Sequence, residues 1–178
     1  MMKKSLLVLS VLFLCVACVS KPKSSFSKHN STPSPREVIY VNADTTVYFI
    51  DPIKFESKEK NTMAVDYTYL FSKKNPNNQV KVCFTINSKV VYEKVNSISI
   101  KYDQGTYESQ KLELMFQEMK KKDKFVFRYN FFVDKEKMIQ ISKSKTLSFI
   151  INNKEEFYPN TKTWSSQSTT INYSLQNL

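Results

Sequence analysis

Nucleophilic catalysis by Ser or Cys normally needs a general base, most often His, within hydrogen-bond reach. This chain has one histidine, His29, and it sits in a run dominated by Ser, Pro and Lys. Of the three cysteines, Cys15, Cys18 and Cys83, only Cys83 lies in a strand-like alternation, between Val82 and Phe84. Lys81 could draw its thiol towards the thiolate; the position favours a small buried or half-buried residue. No His or Cys pair has zinc or copper ligand spacing. Asp44 and Asp51 bracket residues 45–50, and Glu155-Glu156 precedes Phe157, but neither follows the D-x-[DN]-x-[DN]-G order of a calcium loop. Glycoside hydrolysis needs two carboxyl groups about 5–9 Å apart. The 16 Asp and Glu residues offer many pairs, and no spacing singles one out. A single glycine, Gly105, cannot build a phosphate-cradling loop. No metal or other cofactor is expected, and a non-enzymatic role is favoured over a carboxylate-based hydrolase.

Two stretches suggest binding instead. Trp164, the one tryptophan, lies in Thr161-Lys162-Thr163-Trp164-Ser165-Ser166-Gln167-Ser168, which reads as a polar loop. A Trp among hydroxyl and amide groups can stack on a sugar or anchor a protein partner; alternatively it closes one end of a core. Lys120-Lys121-Lys122-Asp123-Lys124 could touch acidic headgroups, or be a solvated turn. The formal net charge is +11, yet all but Arg36 and Arg128 of the 27 basic residues are Lys, and Asn is abundant while Gly occurs once. That profile matches AT-rich coding, and phosphate sites tend to favour the bidentate Arg fork. Charge alone therefore assigns no anionic partner, and nucleic acid is not expected.

The elements that must carry these residues read as strands. Met63, Val65, Tyr67, Tyr69 and Phe71 share one face. Val80, Val82, Phe84 and Ile86 repeat the pattern, as do Ile98, Ile100 and Tyr102, then Phe125, Phe127, Tyr129 and Phe131. Leu147, Phe149 and Ile151 follow, then Ile171, Tyr173 and Leu175. Period two of this kind gives strands with one buried face, and 13 Phe and 10 Tyr suit pleated, half-buried surfaces. Residues 112–119 fit either period and are read as a strand that turns through the Lys120–Lys124 cluster into the next aromatic run. Asn152-Asn153 suits a hairpin turn because Asn tolerates positive φ, and Gly105 suits a left-handed turn position. Asp134 is an N-cap candidate for a short helix near residues 134–144. The spacing predicts a mainly β, antiparallel two-sheet β-sandwich with that one helix; a small β-barrel is the alternative.

The chain opens with Lys3 and Lys4, then an apolar run over residues 6–17 broken only by Ser10. About a dozen apolar residues are too few for a spanning helix, which needs about 20, and the layout is that of a secretory signal peptide. Cys15-Val16-Ala17-Cys18 resembles the lipobox of bacterial lipoproteins, with Cys15 where that motif prefers Leu. The resemblance implies cleavage after Ala17, acylation of Cys18, and attachment to the bacterial cell envelope through an N-terminal lipid. It covers no more of the chain than this. Residues 18–36 are rich in Ser, Pro and Lys and cannot bury enough apolar area to order themselves, so they read as a flexible tether. With Cys15 removed and Cys18 acylated, Cys83 would have no disulfide partner, and the domain must be held by its core.

These readings predict a signal peptide over residues 1–17, a lipid-anchored tether over 18–36, and a single β-sandwich domain over 37–178. The expected role is a non-enzymatic binding module for a protein or glycan, with Trp164, Lys120, Lys121 and Lys122 as candidate contacts. The alternative is a structural or assembly component of the periplasmic leaflet.

Overall fold

The computed structural model describes residues 36–74, 78–88, 95–109, 111–120 and 124–176. The signal segment, Cys18, the rest of the tether as far as residue 35, Lys121 and Lys122 lie outside them, while Arg36, expected at the end of the tether, opens the first strand. The strands are β1 (Arg36–Asn42), β2 (Thr45–Ser57), β3 (Thr62–Ser72), β4 (Gln79–Ser88), β5 (Ile98–Tyr102), β6 (Gly105–Glu108), β7 (Glu113–Lys120), β8 (Lys124–Asp134), β9 (Leu147–Ile151) and β10 (Glu155–Pro159). The helices are α1 (Lys135–Ser142) and α2 (Thr161–Gln176).

The mainly β, antiparallel class expected from the alternation is the class observed. The strands form one continuous sheet in the order β6-β5-β9-β10-β2-β3-β4-β8-β7. β2 is long enough to take two partners on one edge: β1 along its first half and β10 along its last residues. The sheet curls into a half-barrel, intermediate between a sandwich and a small barrel. Its curl brings Tyr107 of β6 back to β8, where the Tyr107 hydroxyl donates to the Phe132 carbonyl at 3.0 Å. Strand twist accumulates with strand number, so a long antiparallel sheet rolls up rather than staying flat.

The alternation explains which face is inside. Ile53 and Phe55, Val65 and Tyr67, Val82 and Phe84, Phe127 and Phe131, and Phe149 and Ile151 all point into one buried core. Phe55 meets Phe149 edge-to-face with ring centroids 5.0 Å apart, and Phe84 stacks on Tyr129 at 5.5 Å. Aromatic pairs of this geometry add about 0.5–1.5 kcal/mol beyond their burial. Met138 and Ile141 of α1 and Trp164, Ile171 and Leu175 of α2 belong to the same core, so the two helices cover the open side of the curl.

Turn chemistry follows from the residues. Asn152 and Asn153 take φ of 51° and 55° between β9 and β10, and Gly105 takes φ 142° after the Asp103-Gln104 turn. The expected short helix is α1, with Asp134 at its N-cap position but making no side-chain cap bond. Residues 112–119 are strand, as β7. Cys83 is buried on the convex face, and burial pushes its thiol up, with Asp66 adding to the shift against the opposing Arg128 and Lys81. It is therefore not an activated nucleophile. Beside it Arg128 holds Asp66 bidentately at 3.0 and 2.9 Å and donates to Thr85 Oγ1 at 2.7 Å.

One expectation fails. Residues 161–176 are not a polar loop followed by a strand through Ile171, Tyr173 and Leu175; they are one helix. Tyr173 is exposed while Ile171 and Leu175 are buried, which is the i, i+4 spacing of a helix rather than period two. Asn160 caps it: its Oδ1 accepts from the backbone N–H of Lys162 at 3.0 Å and Thr163 at 3.4 Å.

Candidate binding groove

The two faces of α2 have different jobs. Its inner face carries Trp164, Gln167, Ile171, Ser174 and Leu175, all buried. Gln167 Nε2 donates to the Asp51 carbonyl at 2.8 Å. That carbonyl sits in the β2 irregularity between Ile50 and Ile53, where Pro52 has no N–H to offer a ladder. Arg36 reaches the far end of the helix, donating to Ser174 Oγ at 3.1 Å and lying over the Tyr173 ring.

The outer face of α2 lines a groove of about 450 Å³, within the range of roughly 300–1,000 Å³ for small-ligand sites. Residues 142–145, which follow α1, form one wall: Ser142, Lys143, Ser144 and Lys145. Thr161, Ser165, Ser168, Thr169 and Asn172 of α2 form the other, with Trp164 reaching it from the inner face. Among the described residues the lining includes two Lys and neither Asp nor Glu. A shallower depression continues along α2 past Lys162, Ser166 and Thr170.

Most hydroxyl protons here are already committed. Ser142 Oγ donates to the Ile139 carbonyl at 2.9 Å and Ser144 Oγ to the Thr146 carbonyl at 2.6 Å. Ser168 Oγ and Thr169 Oγ1 both donate to the Ser165 carbonyl at 3.0 Å. A hydroxyl whose proton is used still has lone pairs, so those of Ser142, Ser168 and Thr169 are left as acceptors, while Ser144 Oγ already accepts from the Asp103 N–H at 2.7 Å. Asn172 Oδ1 is a further acceptor, buried and without a protein donor. Lys143 and Lys145 add ammonium donors to the lining. Two cations set among hydroxyl and amide acceptors suit a ligand that carries both O–H donors and an acidic group.

The Lys-bearing wall is held from two directions. Asp103, in the β5–β6 turn, accepts from the Lys145 N–H at 2.7 Å and the Thr146 N–H at 3.2 Å, and from the Thr146 hydroxyl. The hydroxyl of Thr146 and the backbone N–H of Lys145 hold the Asp103 carboxyl below the usual range. From the other side the Trp164 indole donates to the Ser144 carbonyl at 2.9 Å.

The structure therefore corrects the reading of Trp164 as an exposed stacking platform. It is 2% exposed, closes the core between α1 and α2, and positions a groove wall. Lys120 is elsewhere, exposed at the end of β7 opposite Lys124, so Trp164 and Lys120 do not share a site. Lys143, Lys145, Ser168, Thr169 and Asn172 are not singled out by a loop over residues 161–168 and a strand through Ile171, Tyr173 and Leu175. Their signal is helical: Thr161, Ser165, Ser168, Thr169 and Asn172 repeat at i, i+4, i+7, i+8 and i+11. The acids considered for metal or hydrolysis have separate engagements. Asp44 pairs with Lys74 at 2.8 Å, and Glu155 accepts from Asn61 Nδ2 at 2.9 Å. Among the described residues no group of three or more His, Cys, Asp or Glu could hold a metal, and no helix is long and apolar enough to cross a membrane. Compared with protein-family models, curated proteins and solved structures, the chain matches none of them.

Proposed function

We propose that this protein is a lipid-anchored component of the bacterial cell envelope whose β domain binds an acidic saccharide without catalysing its turnover. The observation that carries the ligand class is the groove between residues 142–145 and α2. It combines hydroxyl and amide acceptors with Lys143 and Lys145, and among the described residues no carboxylate lines it. Sugar hydroxyls supply the donors that the acceptors need, and a uronic-acid carboxylate would meet the ammonium groups. The compartment rests on the resemblance of Cys15-Val16-Ala17-Cys18 to a lipobox, with residues 18–36 spacing the domain from the bilayer. A carboxylate-based hydrolase would need paired acids facing its substrate, and this groove offers none.

Isothermal titration of the full chain in detergent tests the ligand class, with galacturonate oligomers, neutral galactose oligomers and polyglutamate as probes. Binding of galacturonate oligomers, weakened about tenfold or more by Lys143→Ala/Lys145→Ala, is expected. Equal binding of polyglutamate would mean that charge alone is recognised, and the saccharide reading would fail. Metabolic labelling with a palmitate analogue tests the anchor: the label should appear in the wild type and vanish in Cys18→Ala.

A second reading, a structural or assembly component, draws on the sheet edge at β7.

A further inference from the structure

We infer that two copies of this chain pair through β7, antiparallel and edge to edge, so that the two sheets become one. β7 ends the sheet, and among the described residues no strand pairs with its outer edge. All eight of its residues are exposed, including Leu114 at 49%, Phe116 at 44% and Met119 at 70%. An edge strand with unpaired backbone groups is a template for another strand, and this one has neither Pro nor Gly to blunt it.

The occupant is indicated by the self-complementarity of Glu113-Leu114-Met115-Phe116-Gln117-Glu118-Met119-Lys120. A twofold axis at Gln117 sets Glu113 opposite Lys120 of the second copy, Leu114 opposite Met119, Phe116 opposite Glu118, and Gln117 opposite itself. Each opposite-charge pair and each apolar pair then occurs twice. Residues directly opposite in an antiparallel pair must share a face. In a regular strand Glu113 and Lys120, seven apart, would lie on opposite faces. The irregularity at Met115 removes that conflict, because the register with β8 shifts between Leu114 and Phe116. One extra residue there returns Glu113 and Lys120 to the convex face, opposite Asn130 and Lys124. It likewise returns Leu114 and Met119 to the concave face, opposite Tyr129 and Phe125. Moving the axis one residue to Glu118 would oppose two glutamates and lose both the Glu113–Lys120 and the Leu114–Met119 pairs. The axis at Gln117 alone joins the charges, the apolar residues and the bulge.

A single strand edge buries less than the roughly 1,200–2,000 Å² of a standard interface, so half-association is expected at about 10–1,000 μM. This inference does not depend on the groove or its ligand. Two measurements on the full chain in detergent test it. Gln117→Cys, on the axis, should form disulfide-linked dimers on mild oxidation, well above both the wild type and Glu118→Cys. In sedimentation equilibrium Lys120→Glu should weaken association about tenfold, and Glu113→Lys/Lys120→Glu should restore it. Far-UV circular dichroism verifies that these exposed-site variants are folded. A chain that stays monomeric to about 1 mM, a Gln117→Cys yield no higher than that of Glu118→Cys, or failure of the charge swap to restore association would each overturn it.

Discussion

Replacing Trp164 tests both the docking of α2 and the construction of the groove wall. The indole is 2% exposed and donates to the Ser144 carbonyl at 2.9 Å. Truncating a buried Trp to Ala costs about 3–5 kcal/mol through lost contact and the remaining cavity. The Ser144 carbonyl borders the groove, so water can replace the lost donor, and that hydrogen bond adds only about 1 kcal/mol. Trp164→Ala should therefore lose about 4–6 kcal/mol. Most domains have only about 5–15 kcal/mol of stability in total. Trp164→Phe keeps most of the ring and loses the donor and some volume, about 2 kcal/mol. Urea unfolding followed by far-UV circular dichroism measures both variants, since each lacks the chain's one tryptophan. With a slope of about 1–3 kcal/mol/M for small proteins, the Ala variant's midpoint should fall by about 1.3 M or more, with the slope unchanged. A loss below about 1 kcal/mol for Trp164→Ala would refute the packing of α2 on the core. Equal losses for Phe and Ala would show that the hydrogen bond rather than the buried area carries the effect. Wild-type fluorescence should be blue-shifted and resist acrylamide quenching.

Two further outcomes follow from the loops. Because the folded Asp103 carboxyl is lowered by Thr146 and Lys145, its stabilisation is complete above the unfolded carboxylate value and is lost as pH falls through the folded one. The Lys145 backbone amide in nuclear magnetic resonance should titrate with a midpoint below 3.8, and Asp103→Asn should abolish that titration. In the β9–β10 turn both Asn residues have positive φ, but only Asn152 Oδ1 accepts from the N–H of Asn96 at 2.8 Å and of Ser97 at 3.2 Å. Asn153→Gly should change stability by less than about 0.5 kcal/mol, and Asn152→Gly should cost about 1–2 kcal/mol; thermal melting distinguishes them.

Much of the sheet was legible as period two. Met63 to Phe71, Val80 to Ile86 and Phe125 to Phe131 each alternate a buried aromatic or aliphatic face with a polar one, and each is a strand with that face inside. The residues 171–175 show where alternation misleads: Ile171, Tyr173 and Leu175 satisfy it locally, but Ile171 and Leu175 also satisfy i, i+4, and Trp164 lies two helical turns before Ile171. Three apolar residues do not separate the two periods. What decided was Asn160 as a cap and a core with room for a helix. The groove was invisible for the same reason. Its residues come from 142–145 and one face of α2, and hydroxyl residues in sequence look like a loop until the helix gathers them on one side.

By itself the sequence determined the antiparallel β class, the turns at Gly105 and Asn152-Asn153, and a buried or half-buried place for Cys83. These follow from side-chain periodicity and from which residues tolerate positive φ, both local properties. Tertiary structure alone decided that the strands form one curled sheet, that Trp164 faces inward, that Asp103 holds the Lys143–Lys145 wall, and that β7 is left at an edge. Each of these depends on which distant segments meet, as Tyr107 meets Phe132 and Asp103 meets Thr146. The free energy that selects such meetings comes from burying the shared core, and no local pattern records it.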